Sequence, residues 1–336
     1  MHRTTIAGLL LSCGAVSFWA CATDKSPPTA LMATTAPSDE PTTHPIGLLV
    51  DEVATPPSFG MAVRDDGLAY FTEFQNGGVG ITSTRTRTVD GFTPTGQVPT
   101  GVTFSPDGNT AYVTNQFSQN VSVIDVPSAQ QVATIPTPGG ENPSVVRVSP
   151  DGSRLFIATA STTVYIVDTQ TRQVIGSVQV GFVPNAFAVH PDGQIIYVSA
   201  AFGGSVTEVD ISTGAALRTF TVGGRPQDMA VSRDGQRLYV ANESANVLDQ
   251  IDLQSGQVVG TVALAGSPFG IGLTPDDNQA YISLSSQGLV QVFQVTSGML
   301  LKFTFDVGGR PRRIGFSQKG HIGAVANEGG FVTFVR

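Results

Sequence analysis

Seven prolines recur along this chain at nearly constant spacing. Pro57, Pro99, Pro143, Pro184, Pro226, Pro268 and Pro311 are separated by 42, 44, 41, 42, 42 and 43 residues. Each opens a unit with the same internal order. A short apolar run such as "GVTFS" (Gly101–Ser105) leads into a turn, "PDG" at Pro106–Gly108 or "RDG" at Arg233–Gly235. Then come a run such as "AYVTN", a polar loop, a run such as "VSVIDV", a second turn and a last alternating run such as "QVVGTVALAG". The runs are rich in Val, Ile, Tyr, Phe and Thr and bounded by turn formers, which predicts strands.

Four strands in about 42 residues make one blade of a β-propeller. One blade cannot bury both faces alone, so the repeat predicts an all-β, seven-bladed propeller of four-stranded antiparallel blades. The last unit, Pro311–Arg336, holds only three runs. The run "IGLLVDEVATPP" (Ile46–Pro57) reads like a fourth strand and precedes the first unit. It is expected to complete the last blade, because an unfilled closure leaves sheet edges open to water. The propeller is thus expected over residues 46–336.

"AYVTN" (Ala111–Asn115), "LYVAN" (Leu238–Asn242), the "PDG" turns and the "GGRP" segments resemble the YVTN-repeat family of β-propellers, with its YncE-like secreted proteins and lipoproteins. The likeness is strongest in units two to five. It weakens in unit one, where "VGITSTR" lacks the aspartate of "VIDV", and in units six and seven ("VFQV"; "QKG" for "PDG"). It implies a propeller of a secreted or surface protein.

Most repeated residues build the fold. Asp-Gly in the first turn supplies left-handed geometry. Asp125, Asp168, Asp210 and Asp252 end third strands and are expected to accept hydrogen bonds from the following turn. One per blade, they do not form a calcium array. Tyr70, Tyr112, Phe156, Tyr197, Tyr239 and Tyr281 of the second strands are expected to pack between blades.

Function is expected where loops from several blades converge. With the first strand innermost, the loops after the second strands and the loops leading into the prolines share one face. After the second strands stand Glu73, Asn115, Thr159, Ala200, Asn242, Leu284 and Asn327, followed by a column containing Glu243 and Glu328. Beside the prolines stand Arg225, Asp228, Arg310, Arg312 and Arg313. The candidate ligand-binding set is therefore Glu73, Asn115, Arg225, Asp228, Asn242, Glu243, Arg310, Arg312, Arg313, Asn327 and Glu328. Neighbouring blades seven, one and two are expected to build one wall from Asn327, Glu328, Glu73 and Asn115. A mixed Arg/Glu/Asn mouth suits a polar or anionic ligand through charge-assisted bonds. Solvated loop tips are the plainer reading of the same residues.

No catalytic residue is expected. His190 and His321 fall near first-strand turns on the other face, His2 and His44 precede the fold, and both cysteines (Cys13, Cys21) lie in the first 21 residues. The mouth lacks the usual bases and nucleophiles, and no metal-ligand spacing or cofactor is indicated. Propellers of the gluconolactonase type hold a metal with Glu, Asn and Asp. Glu73, Asn115 and Asn242 supply such atoms, but on a seven-bladed ring. Glu73 with Glu328 is the alternative acid–base pair. A net charge of −8 argues against nucleic acid.

The opening "MHRTTIAGLLLSCGAVSFWACATDKS" has the layout of an export signal: Arg3, then an uncharged apolar stretch, then polar residues. It fits release after Ala22, or lipidation at Cys21 in the manner of bacterial lipoproteins, with "LLSC" at Cys13 a second match. Residues 1–21 are read as a lipoprotein-like signal and residues 22–45, rich in Thr and Pro, as a flexible linker. The expectation is an exported protein of the periplasm or cell envelope, whose membrane contact is an N-terminal lipid anchor. It binds a small polar ligand, glycan or envelope protein through its loop-rich face without catalysis. The alternative is a lactonase-like hydrolase or lyase at the same mouth.

Overall fold

The computed structural model of the protein describes residues 49–297, 299–317, 319 and 322–336. The signal, linker, Cys13, Cys21, His2, His44 and His321 lie outside the described residues. Seven four-stranded antiparallel sheets are arranged as a ring. Blade 1 spans Ser58–Pro94, blade 2 Pro99–Pro136, blade 3 Pro143–Gln179, blade 4 Pro184–Thr221, blade 5 Pro226–Ala263 and blade 6 Pro268–Asp306. Blade 7 takes three strands from Pro311–Val335 and its outermost from Leu49–Ala54. That strand pairs with the last one in the register Ala54↔Phe331 through Leu49↔Val335. Closure by the two ends of the chain is thus as the repeat predicts.

One register differs from the sequence reading. Ser58 opposes Glu73 as Pro99 opposes Asn115 and Pro311 opposes Asn327. The blade 1 counterpart of the leading proline is therefore Ser58, one residue beyond Pro57. Each first strand is bulged just after this position, which bends it around the axis.

The core lies between the blades in successive apolar clusters. Second-strand aromatics reach the next blade's first strand: Tyr70 to Phe104 (4.9 Å), Phe156 to Phe187 (6.4 Å) and Tyr281 to Phe316 (5.1 Å). Each such ring, withdrawn from water, contributes about 1.5–3 kcal/mol. Near the axis the first strands approach so closely that side chains are excluded. A Cβ on Gly60 would lie 2.4 Å from the Thr100 carbonyl oxygen, and one on Gly270 2.3 Å from that of Arg312.

The turn aspartates act as expected. Asp125, Asp168, Asp210 and Asp252 each accept from the backbone N–H and hydroxyl three residues on. A second set occupies the first turns. Asp107 accepts from Ser105 Oγ (2.5 Å) and Asn109 N (3.0 Å), and Asp151, Asp234 and Asp276 repeat the arrangement.

Candidate functional site

Antiparallel blades put the loops after second strands and the loops before first strands on one face. On that face the candidate residues fall into two groups, one built into the blades and one around the axis. Asn115, Asn242 and Asn327 are fully or almost fully buried. Asn115 Oδ1 accepts from Gly96 N (3.0 Å) while its Nδ2 donates to Asn120 Oδ1 and Ser122 Oγ (both 2.8 Å). Asn242 accepts from Arg225 N (2.9 Å) and donates to Asp249 Oδ2 (2.9 Å). Asn327 accepts from Arg310 N and Gly329 N (both 2.8 Å) and donates to Gly308 O (3.1 Å). These three amides tie each incoming loop to the end of the second strand. Glu73 occupies the same position in blade 1. It is 3% exposed, accepts from Asn76 Nδ2 (2.8 Å), and lies over Gly80 of its own third strand. Burial pushes its carboxyl above the ordinary range, and the Asn76 bond opposes this.

The axial group is made of charged residues already paired. Arg313 crosses the axis from blade 7. It meets Asp228 Oδ1 of blade 5 at 2.7 Å and donates to the carbonyl oxygens of Asn185 (2.5 Å) and Gln227 (3.3 Å). Asp228 also accepts from Met229 N (3.0 Å) and, in blade 6, Ile271 N (3.3 Å). Arg312 binds Glu328 (2.6 Å), and its guanidinium lies 4.5 Å from the Phe269 ring centre and 5.2 Å from that of Phe59. Burial lowers the Arg312 pKa, and Glu328 raises it. Outside this layer, Arg310 reaches Glu328 (3.4 Å) and Arg225 reaches Glu243 (3.3 Å), with Gln227 donating to Glu243 as well.

The structure thus brings together Arg310, Arg312 and Glu328, then Arg225 with Glu243, then Arg313 with Asp228. Glu73 and Asn115 make their side-chain bonds within blades 1 and 2, and Asn327 meets blade 1 through its N–H on Ser58 Oγ (2.9 Å), opposite Glu73. Glu73 and Glu328 have separate partners and do not form a carboxylate pair. Among the described residues no group of three or more His, Cys, Asp or Glu is placed to hold a metal.

Two features lie outside the candidate ligand-binding set. The first is aromatic. Phe182, in the loop entering blade 4, and Phe202, after its second strand, are 53% and 54% exposed with ring centres 6.3 Å apart. Their loops are joined by Phe202 N to Phe182 O (3.2 Å) and Ala201 N to Val183 O (2.9 Å). The Arg225 guanidinium sits 4.5 Å from the Phe202 ring centre. Val183 has φ 58°, a left-handed conformation costly for a β-branched residue, which Val98 before the leading proline of blade 2 shares (φ 53°). The second is Arg147, inside the first strand of blade 3. The seven first strands carry four charged residues, Arg147, Asp228, Arg312 and Arg313. A charge within a run that should line the axis was the available signal. The three others stand beside the leading prolines, and Arg147, deeper in "PSVVRV", does not.

Comparison with known proteins agrees with this architecture. Hydrazine synthase of Kuenenia stuttgartiensis superposes with a TM-score of 0.77 at 20% identity, over 89% of this chain and 99% of that one. At such identity the likeness is one of fold. No relative among curated proteins matches the chain. The sequence profile described as YNCE-like beta-propeller matches residues 95–278, more than half of the chain. The repeat, the ring and this match together establish that the chain belongs to the YNCE-like beta-propeller family.

Proposed function

We propose that this propeller is a non-catalytic binding protein of the cell envelope that engages a protein partner through its loop-rich face. The carrying observation is the Phe182–Phe202 pair with Arg225 stacked on it. Exposed aromatic rings beside an arginine have the composition of interface hot spots, and the bonded loops beneath them reduce the ordering cost of association. Arg225, Glu243, Arg310 and Glu328 form a charged rim on the same face, suited to setting orientation. Of the inner residues, Arg313 binds Asp228 and Arg312 binds Glu328, so they support the rim rather than open a mouth for a small polar ligand. A lactonase-like activity would need free carboxylates or metal donors there, and the candidates are engaged elsewhere. Export and lipidation at Cys21 are proposed from the N-terminal sequence.

A photo-crosslinking residue at position 182, in protein expressed in its native envelope, tests this reading. A discrete protein adduct is expected, diminished by Arg225→Glu and missing when the probe stands at Asp151 on the opposite face. Equal adducts from both positions, or glycan adducts alone, would overturn it. Palmitate labelling that disappears in Cys21→Ser tests the anchor.

A further inference from the structure

Behind the layer of Arg313 and Asp228 the axis widens into a cavity of about 1130 Å³, lined by first strands and extending to the Asp-Gly turns. It therefore communicates with the face opposite the aromatic platform. Its walls are mixed, polar groups and backbone facing the space somewhat more than apolar ones, with Met61, Val63, Val145, Val189, Ile271 and Ile314 supplying the apolar part. The space is roomy enough for a small molecule, and its mixed lining suits one that joins a polar head to an apolar body.

Arg147 supplies such a group. Unlike its strand neighbours Val146 and Val148, Arg147 is exposed, because the space it borders is the cavity. Its hydrogen bond among the described residues runs from Nη2 to the Phe187 carbonyl oxygen at 3.3 Å, and no carboxylate of those residues lies within ion-pair distance. Asp228, which feels the Arg147 charge, is itself held by Arg313 at 2.7 Å. The inner end of the cavity thus carries two guanidinium groups against one carboxylate, a surplus of one positive charge. At the outer end Arg64 stands against Asp65, Asp66 and Asp107. An anion of high charge is repelled at that rim, whereas a single charge on an apolar body is repelled less and is drawn to the inner end.

We propose that the axial cavity binds a small amphipathic monocarboxylate, its carboxylate on the Arg147 guanidinium and its apolar body along the first-strand walls. A guanidinium presents paired N–H donors that match a carboxylate. The site lies on the face opposite the proposed partner surface, so its failure leaves that reading untouched.

Calorimetric titration of the full-length protein with octanoate, octanamide and inorganic phosphate tests the proposal. Octanoate is expected to bind one to one, more tightly than either comparator, and to shield Arg147 from arginine-selective glyoxal modification. Arg147→Met should weaken octanoate by at least about tenfold, and Arg147→Lys, which keeps the charge but loses the fork, should fall between. If Arg147→Met does not fold, the lysine variant and the shielding decide. Equal binding of octanamide, tighter binding of phosphate, unchanged affinity in either variant, or no binding of octanoate would each overturn the proposal.

Discussion

Asp228 and Arg313 meet across the propeller axis at 2.7 Å, 85 residues apart in sequence and both largely withdrawn from water. The pair joins blade 5 to blade 7, and Arg313 also holds the blade 4 backbone at Asn185. Removing one partner of such a pair leaves a charge without compensation, which costs about 3–5 kcal/mol. Asp228→Asn is therefore expected to lower stability sharply. The double variant Asp228→Asn/Arg313→Met should recover much of the loss, and urea unfolding of the four members of this cycle measures the coupling.

The buried asparagines give a second prediction. Asn327 satisfies Arg310 N, Gly329 N and Gly308 O from one amide. Alanine there leaves backbone groups without partners, each worth about 1–3 kcal/mol when buried. Asn327→Ala and Asn242→Ala should each destabilise by about 2 kcal/mol or more, read as a lower denaturation midpoint. Glu243→Gln, at the more exposed rim, should change stability by less than about 1 kcal/mol.

Ring closure is testable by truncation. Leu49–Ala54 covers the outer edge of the last strand, and Val53 opposes Val332. Removing residues 1–54 exposes the backbone of Phe331–Val335 as a free edge. The truncated protein should melt at lower temperature and self-associate, seen by scattering at increasing concentration. Removal of residues 1–44 alone should leave both unchanged.

Acid should destabilise the protein through its turns. The Arg64 side chain bonded to Asp66 holds that carboxyl down at about 2, and hydroxyl and backbone donors lower Asp107, Asp151, Asp210 and Asp234 in the same direction. A native pKa below the unfolded value gives stability that is fully present above the unfolded carboxylate range and is lost as pH falls through the native one. Urea midpoints should thus decline between about pH 4 and pH 2, and Asp66→Asn should flatten part of that decline. Glu73 has the opposite sign. Burial raises its native pKa, so Glu73→Gln should relieve a penalty at neutral pH and steepen the acid decline.

The repeat made blade number, strand order and closure legible before any coordinates. The second-strand aromatics of six units and the third-strand aspartates of four were readable for the same reason, since each recurs at a fixed place in the unit. The candidate site was less legible. Asn115, Asn242 and Asn327 stand where a ligand-facing column would stand, and adjacent positions along a strand point to opposite sides. Their partners lie in the incoming loops, at Gly96, Arg225 and Gly308, 17 to 19 residues earlier in the chain, and residue order does not show that these loops fold back onto the strand end. The ion pairs of Arg312 and Arg313 were hidden differently. Their partners, Glu328 and Asp228, are 16 and 85 residues away, and only the ring brings them within reach.

What the chain alone determined was its periodic part, because period-two burial and turn chemistry act over a few residues and repeat in every unit. Tertiary structure decided everything that breaks the period: which charges neutralise one another on the axis, which rings stand exposed, and that Arg147 opens onto a cavity. Those outcomes depend on distances between blades, set by closure of the ring around residues as small as Gly60 and Gly270.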